Sequence, residues 1–459
     1  MDDISTDPLA PLKTCELHVH MGGCFSVDDL IELAAPYYRD IDWSIFVDAF
    51  DMAYGLRPDP SEWFARVVAG DSSGIDAIRR HFIFTEEDGP DFSRFQAKFN
   101  LLIAIIRHYI QHIPDGELEG PRRALDRHRI EGVRYVEMRS NAPDTGDPEG
   151  FVRFHRLTAQ LSIDACTDGF IARYVPSLPR SAAMPAYLEL RQLLDDKPDL
   201  HEGIVGVDFC NVEEGFPPRS AADVVRRIHD DNAANPAHAL EILYHVGEIY
   251  FDKSLESAVR WCHEAAELGA RRLGHCTALG LDPVVAAGRR GGSHVREKVS
   301  ERLDQIDYDL THHKGLEDAG VEIDTAALAV EREQLRGSSP DQLLHRPYDD
   351  HRLEQVIHRQ DYALREITRI GAVIESCPSS NLRLGSVPSP ELHPVHRFIQ
   401  SDVDLVIGAD DPGIFDSPLR REVEWVVETT HLTPQRLFER LGDPLSHRLG
   451  RLRQGAASS

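Results

Sequence analysis

Apolar residues along the chain gather into eight short runs, most of them edged by polar or ionisable residues on the C-terminal side. They fall at 14–21 (TCELHVHM), 132–140 (GVRYVEMRS), 170–178 (FIARYVPSL), 203–209 (GIVGVDF), 240–247 (LEILYHVG), 271–279 (RRLGHCTAL), 371–379 (GAVIESCPS) and 402–411 (DVDLVIGADD). Runs this short and this apolar predict strands buried on both faces. Between them the spacing changes to a helical period, as in PAYLELRQLLDD, AADVVRRIHDDNAA and SLESAVRWCHEAAELG. The last of these closes on a glycine suited to a helix C-terminus. Eight buried strands alternating with helices predict an α/β fold, a (β/α)8 TIM-type barrel. An open doubly wound sheet is the competitor, but no G-x-G-x-x-G follows the first run, so a dinucleotide fold has no positive support.

Two stretches exceed a minimal barrel. Residues 25–128, after the first strand, carry a helical pattern that includes DFSRFQAKFNLLIAIIRHYI. Residues 280–360, between strands six and seven, are charged, contain GRRGGSHVREK and RGSSP, and are far longer than a usual connection. We expect one domain over 1–459, with an extra helical segment after strand one and the 280–360 insertion serving as a lid or an oligomerisation arm. The tail RQGAASS is expected to be loose.

Composition narrows the partners. A chain of 459 residues that is 41% hydrophobic can bury an ample core without staples. Its 77 acidic and 50 basic residues leave a formal charge of −27, which repels phosphate backbones and anionic membranes. Nucleic acid and membrane partners are therefore not expected, whereas a homo-oligomer is compatible. No stretch approaches the roughly 18 apolar residues of a membrane helix. The seven cysteines, at 15, 24, 166, 210, 262, 276 and 377, are odd in number and form no C-x-x-C. That argues against a disulfide framework and for a reducing compartment. The opening MDDISTDPLAPLKT is acidic and lacks an apolar core, so no signal peptide is expected and the cytoplasm is the expected location.

Chemistry enters at the strand ends. In a barrel, catalytic groups cluster where strands finish. Here strand one ends in His18 and His20, strand five in His245 with Glu248 just beyond, strand six in His275, and strand eight in Asp410 and Asp411. Residues i and i+2 of a strand share a face, so H-x-H aims two imidazoles at one point. With His245 and Asp410 they would make a three-nitrogen, one-oxygen site suited to Zn²⁺ with a position open to water. Among 23 histidines a lone H-x-H carries little weight. Four strand ends that all bear ligand-type residues carry much more. A metal of this kind draws the pKa of bound water towards 7. Glu248 is then placed as a general acid, with a solvated loop carboxylate as its alternative. His275 would orient the nucleophile or stabilise developing charge, unless it is a satisfied core histidine. Asp411 would hydrogen-bond the substrate, or cap the turn before Pro412.

The segments ELHVHMGG, RFQAKF, RYVEMR, GVDFCNVEE, HVGE, LGHC, ESCPSSN and GADDP occur in this order. In sequence and order they resemble the adenosine deaminase family of metal-dependent hydrolases. The H-x-E and P-C-x-x-C signatures of the unrelated cytosine-type zinc deaminases are absent. The resemblance implies a barrel with one zinc per chain held by His18, His20, His245 and Asp410. It implies that Glu248 protonates the ring nitrogen beside the amino-bearing carbon. His275 steers the hydroxide, Asp410 joins them in the catalytic set, and Asp411 meets the imidazole side of the purine. His20, Gly22 and Asn211 would line the substrate, and Phe95 and Phe99 would form a hydrophobic lid. As an i, i+4 pair on one helix face, those two phenylalanines fit core packing equally well.

The departures from the family pattern concern the substrate. Gly22 stands where the family places an acid that contacts the sugar 5′-hydroxyl, and losing one hydrogen-bond partner can cost orders of magnitude in discrimination. Asn211 stands where the family has a glycine whose N–H meets the ring, and Asn tolerates left-handed backbone. The expected function is zinc-dependent hydrolytic deamination of a 6-aminopurine nucleoside, adenosine or a 5′-modified relative. Alternatives are an adenosine monophosphate deaminase, with GRRGGSHVR supplying phosphate donors, and an adenine deaminase. A non-catalytic purine-nucleoside-binding protein on the same barrel is the alternative of another class.

Overall fold

A computed structural model describes residues 7–89, 91–143, 149–290 and 296–450. All eight predicted runs are strands in it. In chain order the strands are β1 (Cys15–His20), β2 (Tyr135–Ser140), β3 (Ile171–Pro176), β4 (Gly206–Phe209), β5 (Glu241–Val246), β6 (Ala270–His275), β7 (Arg296–Lys298), β8 (Leu343–His345), β9 (Val373–Ser376) and β10 (Asp404–Ile407). β7 and β8 are an antiparallel pair inside the insertion and were not anticipated.

The other eight strands run parallel. β1, β2 and β3 form one sheet, and β10, β9, β6, β5 and β4 form another. Parallel bridges Tyr174–Ile204 and Ser177–Asp208 join β3 to β4, and the bridge Val19–Asp410 joins β1 to the residues just past β10. Each strand is thus linked to the next, and the last returns to the first.

The main apolar core lies between strands and helices, with Val136, Ala172, Val207 and Ile242 packed against Leu190, Ala258, Ala265 and Ile367. A second feature is polar. Arg272 pairs with both Glu137 and Glu375, and Arg139 also pairs with Glu375; all four side chains are fully buried. β2 and β6 are not neighbours, so the Glu137–Arg272 pair crosses the interior of the ring. Such buried pairs add little net stability over an apolar core, but removing one partner strands a charge and is strongly destabilising.

The segment after β1 is helical, as expected: Val27–Ala34, Ser44–Tyr54, Pro60–Val68, Ser73–Phe82 and Phe92–His112. Ser26 and Asp29 make a capping box at the first helix, and Asp91 caps the last. These helices bury their own core of Phe46, Phe64, Phe82 and Leu101. Ile414 and Phe415, from the loop after β10, complete it and dock the segment against the strand ends.

The insertion differs from expectation at its C-terminal limit. Asp350–Ile370 is one helix ending at Gly371, whose φ of 81° closes it. Val356, Ala363, Leu364 and Ile367 of that helix sit in the main core, so residues 350–360 belong to the strand-and-helix layer that leads into β9. The added material is β7, the helices Val299–Asp318 and Thr325–Leu335, and β8. It lies along the helix Leu255–Glu267, through Ser254–Glu297, Arg260–Glu301 and the Tyr348 hydroxyl, which accepts from the Leu255 N–H. Residues 291–295 of GRRGGSHVREK and the tail RQGAASS lie outside the described residues. Among the described residues, no helix is long and apolar enough to cross a membrane.

Candidate active site

The end of β1 is built against the end of β10. The buried Glu16 carboxylate accepts from the N–H groups of His18 (2.8 Å) and Ala409 (3.2 Å). The Asp410 N–H donates to the His18 carbonyl at 2.9 Å, and the His20 N–H donates to the Asp410 carbonyl at 2.8 Å. Gly408 makes this approach feasible, because a Cβ there would stand 2.5 Å from the His18 Cβ.

Four candidate ligands meet at this seam. His20 Nε2 lies 3.2 Å from His245 Nε2 and 3.2 Å from Asp410 Oδ1, and His18 Nε2 lies 3.5 Å from the same oxygen. A tetrahedral zinc with bonds of about 2.1 Å separates its ligand atoms by about 3.4 Å. These separations match that spacing, and the His20–His245 approach also fits a hydrogen bond between the two imidazoles.

The far sides of two imidazoles fix their tautomers. His18 Nδ1 lies 2.7 Å from Glu375 Oε2, and His245 Nδ1 lies 3.1 Å from Asp208 Oδ1. Burial pushes the Glu375 carboxyl up, but the guanidiniums of Arg139 and Arg272 outweigh it and hold it well below the usual carboxylate range. Burial likewise opposes ionisation of Asp208, and His245 and Arg139 hold it low. Both carboxylates therefore accept, each Nδ1 carries a proton, and each Nε2 presents a lone pair to the common point. His18 Nε2 is buried and has no hydrogen-bond partner among the described residues. Burial opposes charge on His20, yet the hydrogen bond and charge of Asp410 raise it to about 9. Three nitrogens and one carboxylate, with an orphaned nitrogen aimed inward, suit zinc.

Around this point stand the residues expected to act on substrate. Asn381 Nδ2 donates to His275 Nδ1 at 3.0 Å, and burial keeps that imidazole neutral, so its proton sits on Nε2. Nε2 lies 3.6 Å from Glu248 Oε2. The loop bearing Glu248 is held by Glu213, whose carboxylate accepts from the N–H groups of Gly247 (3.0 Å) and Ile249 (3.3 Å). Burial, then the charges of Asp410 and Glu213, raise Glu248 well above the usual carboxylate range. Burial and the adjacent Asp410 raise Asp411 to about 7. The Asp411 side chain occupies the space Gly23 leaves free: a Cβ on Gly23 would fall 1.9 Å from Asp411 Oδ1.

His275, Cys276, Asp410 and Asn211 all adopt positive φ (65°, 48°, 60° and 72°). Such strain in non-glycine residues gathers where a site needs side chains aimed unusually. Asn211 thus takes the left-handed backbone anticipated for it, with its amide paired to Asn141 at 3.1 Å. The two phenylalanines stack on each other, with ring centroids 5.8 Å apart, but differ in exposure. Phe95 is buried with Phe84 and Phe415, at ring distances of 5.7 and 5.5 Å, which is the core packing its spacing also allowed. Phe99 is half-buried, and its Cζ would lie 3.4 Å from a Cβ on Gly22.

Sequence reasoning missed Glu375, Asp208, Asn381 and Glu213 as functional residues. Each lies in or beside a segment already singled out, and a carboxylate inside an otherwise apolar strand was the available signal for Glu375 and Asp208.

A family model described as adenosine deaminase matches residues 351–441. An adenosine deaminase-like protein of Drosophila pseudoobscura pseudoobscura is 35% identical over 88 residues, 19% of this chain, and the match spans only 25% of that relative's length. The N6-methyl-AMP deaminase from Arabidopsis thaliana superposes with a TM-score of 0.56 at 13% identity, covering 99% of this chain and 97% of that one. An amidohydrolase from Burkholderia ambifaria with bound Zn gives a TM-score of 0.50 at 15% identity, covering 100% and 92%. At these identities the structural likeness is one of fold.

Proposed function

We propose that this chain, which belongs to the adenosine deaminase family of the amidohydrolase superfamily, hydrolytically removes the amino group of a 6-aminopurine nucleoside. The observation that carries the reading is the meeting of His18, His20, His245 and Asp410, with two of the imidazoles oriented by Glu375 and Asp208. These four would hold one zinc per chain, which when bound supplies the Lewis acidity that makes water nucleophilic at neutral pH. His275 offers its Nε2–H to orient the attacking water. Glu248 enters protonated and passes its proton to the ring nitrogen beside the amino-bearing carbon, which makes that carbon electrophilic. Ammonia leaves and a 6-oxo purine remains. Asp411 sits close enough to neutrality to carry a proton, so it can donate to a nitrogen of the imidazole ring, which is an acceptor. Asn211 presents a backbone N–H, and Gly22 and Phe99 border the sugar without a carboxylate for its 5′-hydroxyl.

The strand order supports a (β/α)8 barrel, with the insertion packed along the helix Leu255–Glu267. Seven free cysteines fit the cytoplasm. A phosphorylated substrate finds less support. Arg289 and Arg290, two arginines of the stretch expected to bind phosphate, donate to the carbonyls of Gly385, Tyr250 and Lys253, while the third, Arg296, is exposed in β7. A non-catalytic binding role leaves the raised, loop-anchored Glu248 unexplained.

The deciding experiment is an ammonia-release screen. Adenine, adenosine, its 5′-deoxy and 5′-methylthio derivatives and adenosine 5′-monophosphate are each tested with and without a chelator. Chelator-sensitive release from a nucleoside is expected, and Glu248→Gln should abolish it while zinc stays bound. Full zinc in both His18→Ala and Asp410→Ala, or no release from any 6-aminopurine by zinc-loaded protein, overturns the reading.

A further inference from the structure

Away from that site, the helix Leu255–Glu267 and the insertion helix Val299–Asp318 bring His263, Glu267 and His312 together. One ligand atom from each lies within 4.8 Å of the others. His263 and Glu267 are four residues apart on one helix and share a face. His263 Nε2 stands 3.7 Å from Glu267 Oε1, and His312 Nε2 stands 3.5 Å from Glu267 Oε2. Both separations exceed a hydrogen bond and lie near the roughly 3.4 Å ligand spacing of a tetrahedral zinc.

The opposite nitrogens are taken up. The Tyr308 hydroxyl lies 2.7 Å from His263 Nδ1, and the Tyr362 hydroxyl lies 3.1 Å from His312 Nδ1. Hydrogen-bonding partners at Nδ1 are what orient the free nitrogen of a metal-ligating histidine. His263 is 0% exposed, and its Nε2 is a buried atom with no hydrogen-bond partner among the described residues. It points into the cluster. The rings of Tyr308 and Tyr362, which cluster with Leu316 and Val321, pack edge-on against the His263 ring at 5.8 and 5.5 Å. The side chains of Glu267 and His312 are 37% and 17% exposed, so an ion can enter from solvent and a water can complete its coordination.

We propose that His263, Glu267 and His312 form a second divalent-cation site, of zinc type, that clamps the insertion onto the helix following β5. Two imidazoles and one carboxylate are a zinc-preferring donor set. The site shares no residue with the purine site and stands or falls independently of it. Its effect is structural: the ion ties a segment held otherwise by ion pairs and a small apolar cluster to the helix that begins just beyond the Glu248 loop.

The test uses full-length protein stripped with a chelator and reloaded with Zn²⁺ alone. Bound zinc is counted by elemental mass spectrometry. His312→Ala and Glu267→Ala, both at partly exposed positions, should each lower the count by about one ion per chain, whether or not His18→Ala is also present. The rise in melting temperature that zinc gives the His18→Ala protein should vanish when His312→Ala is added, while ammonia release by the His312→Ala single variant stays at the wild-type rate. If His312→Ala does not fold, as judged by circular dichroism, Glu267→Ala decides. Zinc counts unchanged by the substitutions overturn the proposal.

Discussion

Asp410 meets His18 twice. Its backbone N–H donates to the His18 carbonyl at 2.9 Å, and its carboxylate oxygen lies 3.5 Å from His18 Nε2. The same two residues therefore join the first strand to the last and place two of the candidate ligands. Side-chain geometry at the site is inherited from backbone pairing, and the groups behind the imidazoles complete it.

Asp208→Asn tests that supporting layer. The carboxylate accepts from His245 Nδ1 at 3.1 Å, and an amide can turn its NH₂ towards that nitrogen and favour the wrong tautomer. Zinc affinity should fall about 10- to 100-fold, as for other outer partners of metal-bound histidines. Competition with a chromophoric chelator measures it. Wild-type affinity would show that Asp208 does not orient the ligand.

Glu213 holds the loop that carries Glu248 and places a negative charge near it. Glu213→Ala frees the N–H groups of Gly247 and Ile249 and should lower kcat about tenfold or more, with zinc content and KM little changed. Glu213→Gln keeps one acceptor oxygen and should restore part of the loss. If alanine and glutamine behave alike, the loop is positioned by something else.

Adjacent glycines should respond oppositely. Gly22→Asp places its Cβ 3.4 Å from Phe99 Cζ, a tight but ordinary contact, and introduces an acceptor near the sugar. Activity on adenosine relative to its 5′-methylthio derivative should rise at least about tenfold. Gly23→Ala drives its Cβ into Asp411 and should lose activity on every purine. An unchanged ratio for Gly22→Asp would show that the sugar lies elsewhere.

The contact between the helices Leu255–Glu267 and Asp350–Ile370 has an acid limit. Burial opposes ionisation of Glu256, but the Arg352 guanidinium outweighs it and lowers the carboxyl from 4.5 to about 2. The unfolded chain takes up this proton first as pH falls. The resulting stability is complete above about 4.5 and is lost progressively towards pH 2. At 1.36 kcal/mol per pH unit, this amounts to about 3 kcal/mol. Urea unfolding at pH 6 and pH 3 should show a smaller loss for Glu256→Gln than for wild type. Equal losses would place the acid sensitivity in other groups.

The eight strands were legible because a strand buried on both faces is an apolar run whatever its partners. The residues at strand ends were legible because ionisable groups stand out there. Glu137, Arg139, Arg272 and Glu375 were not, since a charge inside a strand reads as an interruption until its counter-charge is seen. Arg139 and Glu375 are separated by 236 positions, and no local pattern links them. Residues 350–360 read as insertion because charged helix faces look alike in sequence, and the burial of Val356, Ala363, Leu364 and Ile367 in the main core reveals which layer their helix joins. His263 and Glu267 form a visible i, i+4 pair, but nothing nearby points to His312.

The bridge between Val19 and Asp410 has a bearing on how the protein is made. Translation delivers residue 410 long after the opening histidines, so the ring cannot shut while most of the polypeptide is still being synthesised. Until then His18 and His20 lack the Asp410 carboxylate, and the four candidate ligands come together only once the last strand has joined the first.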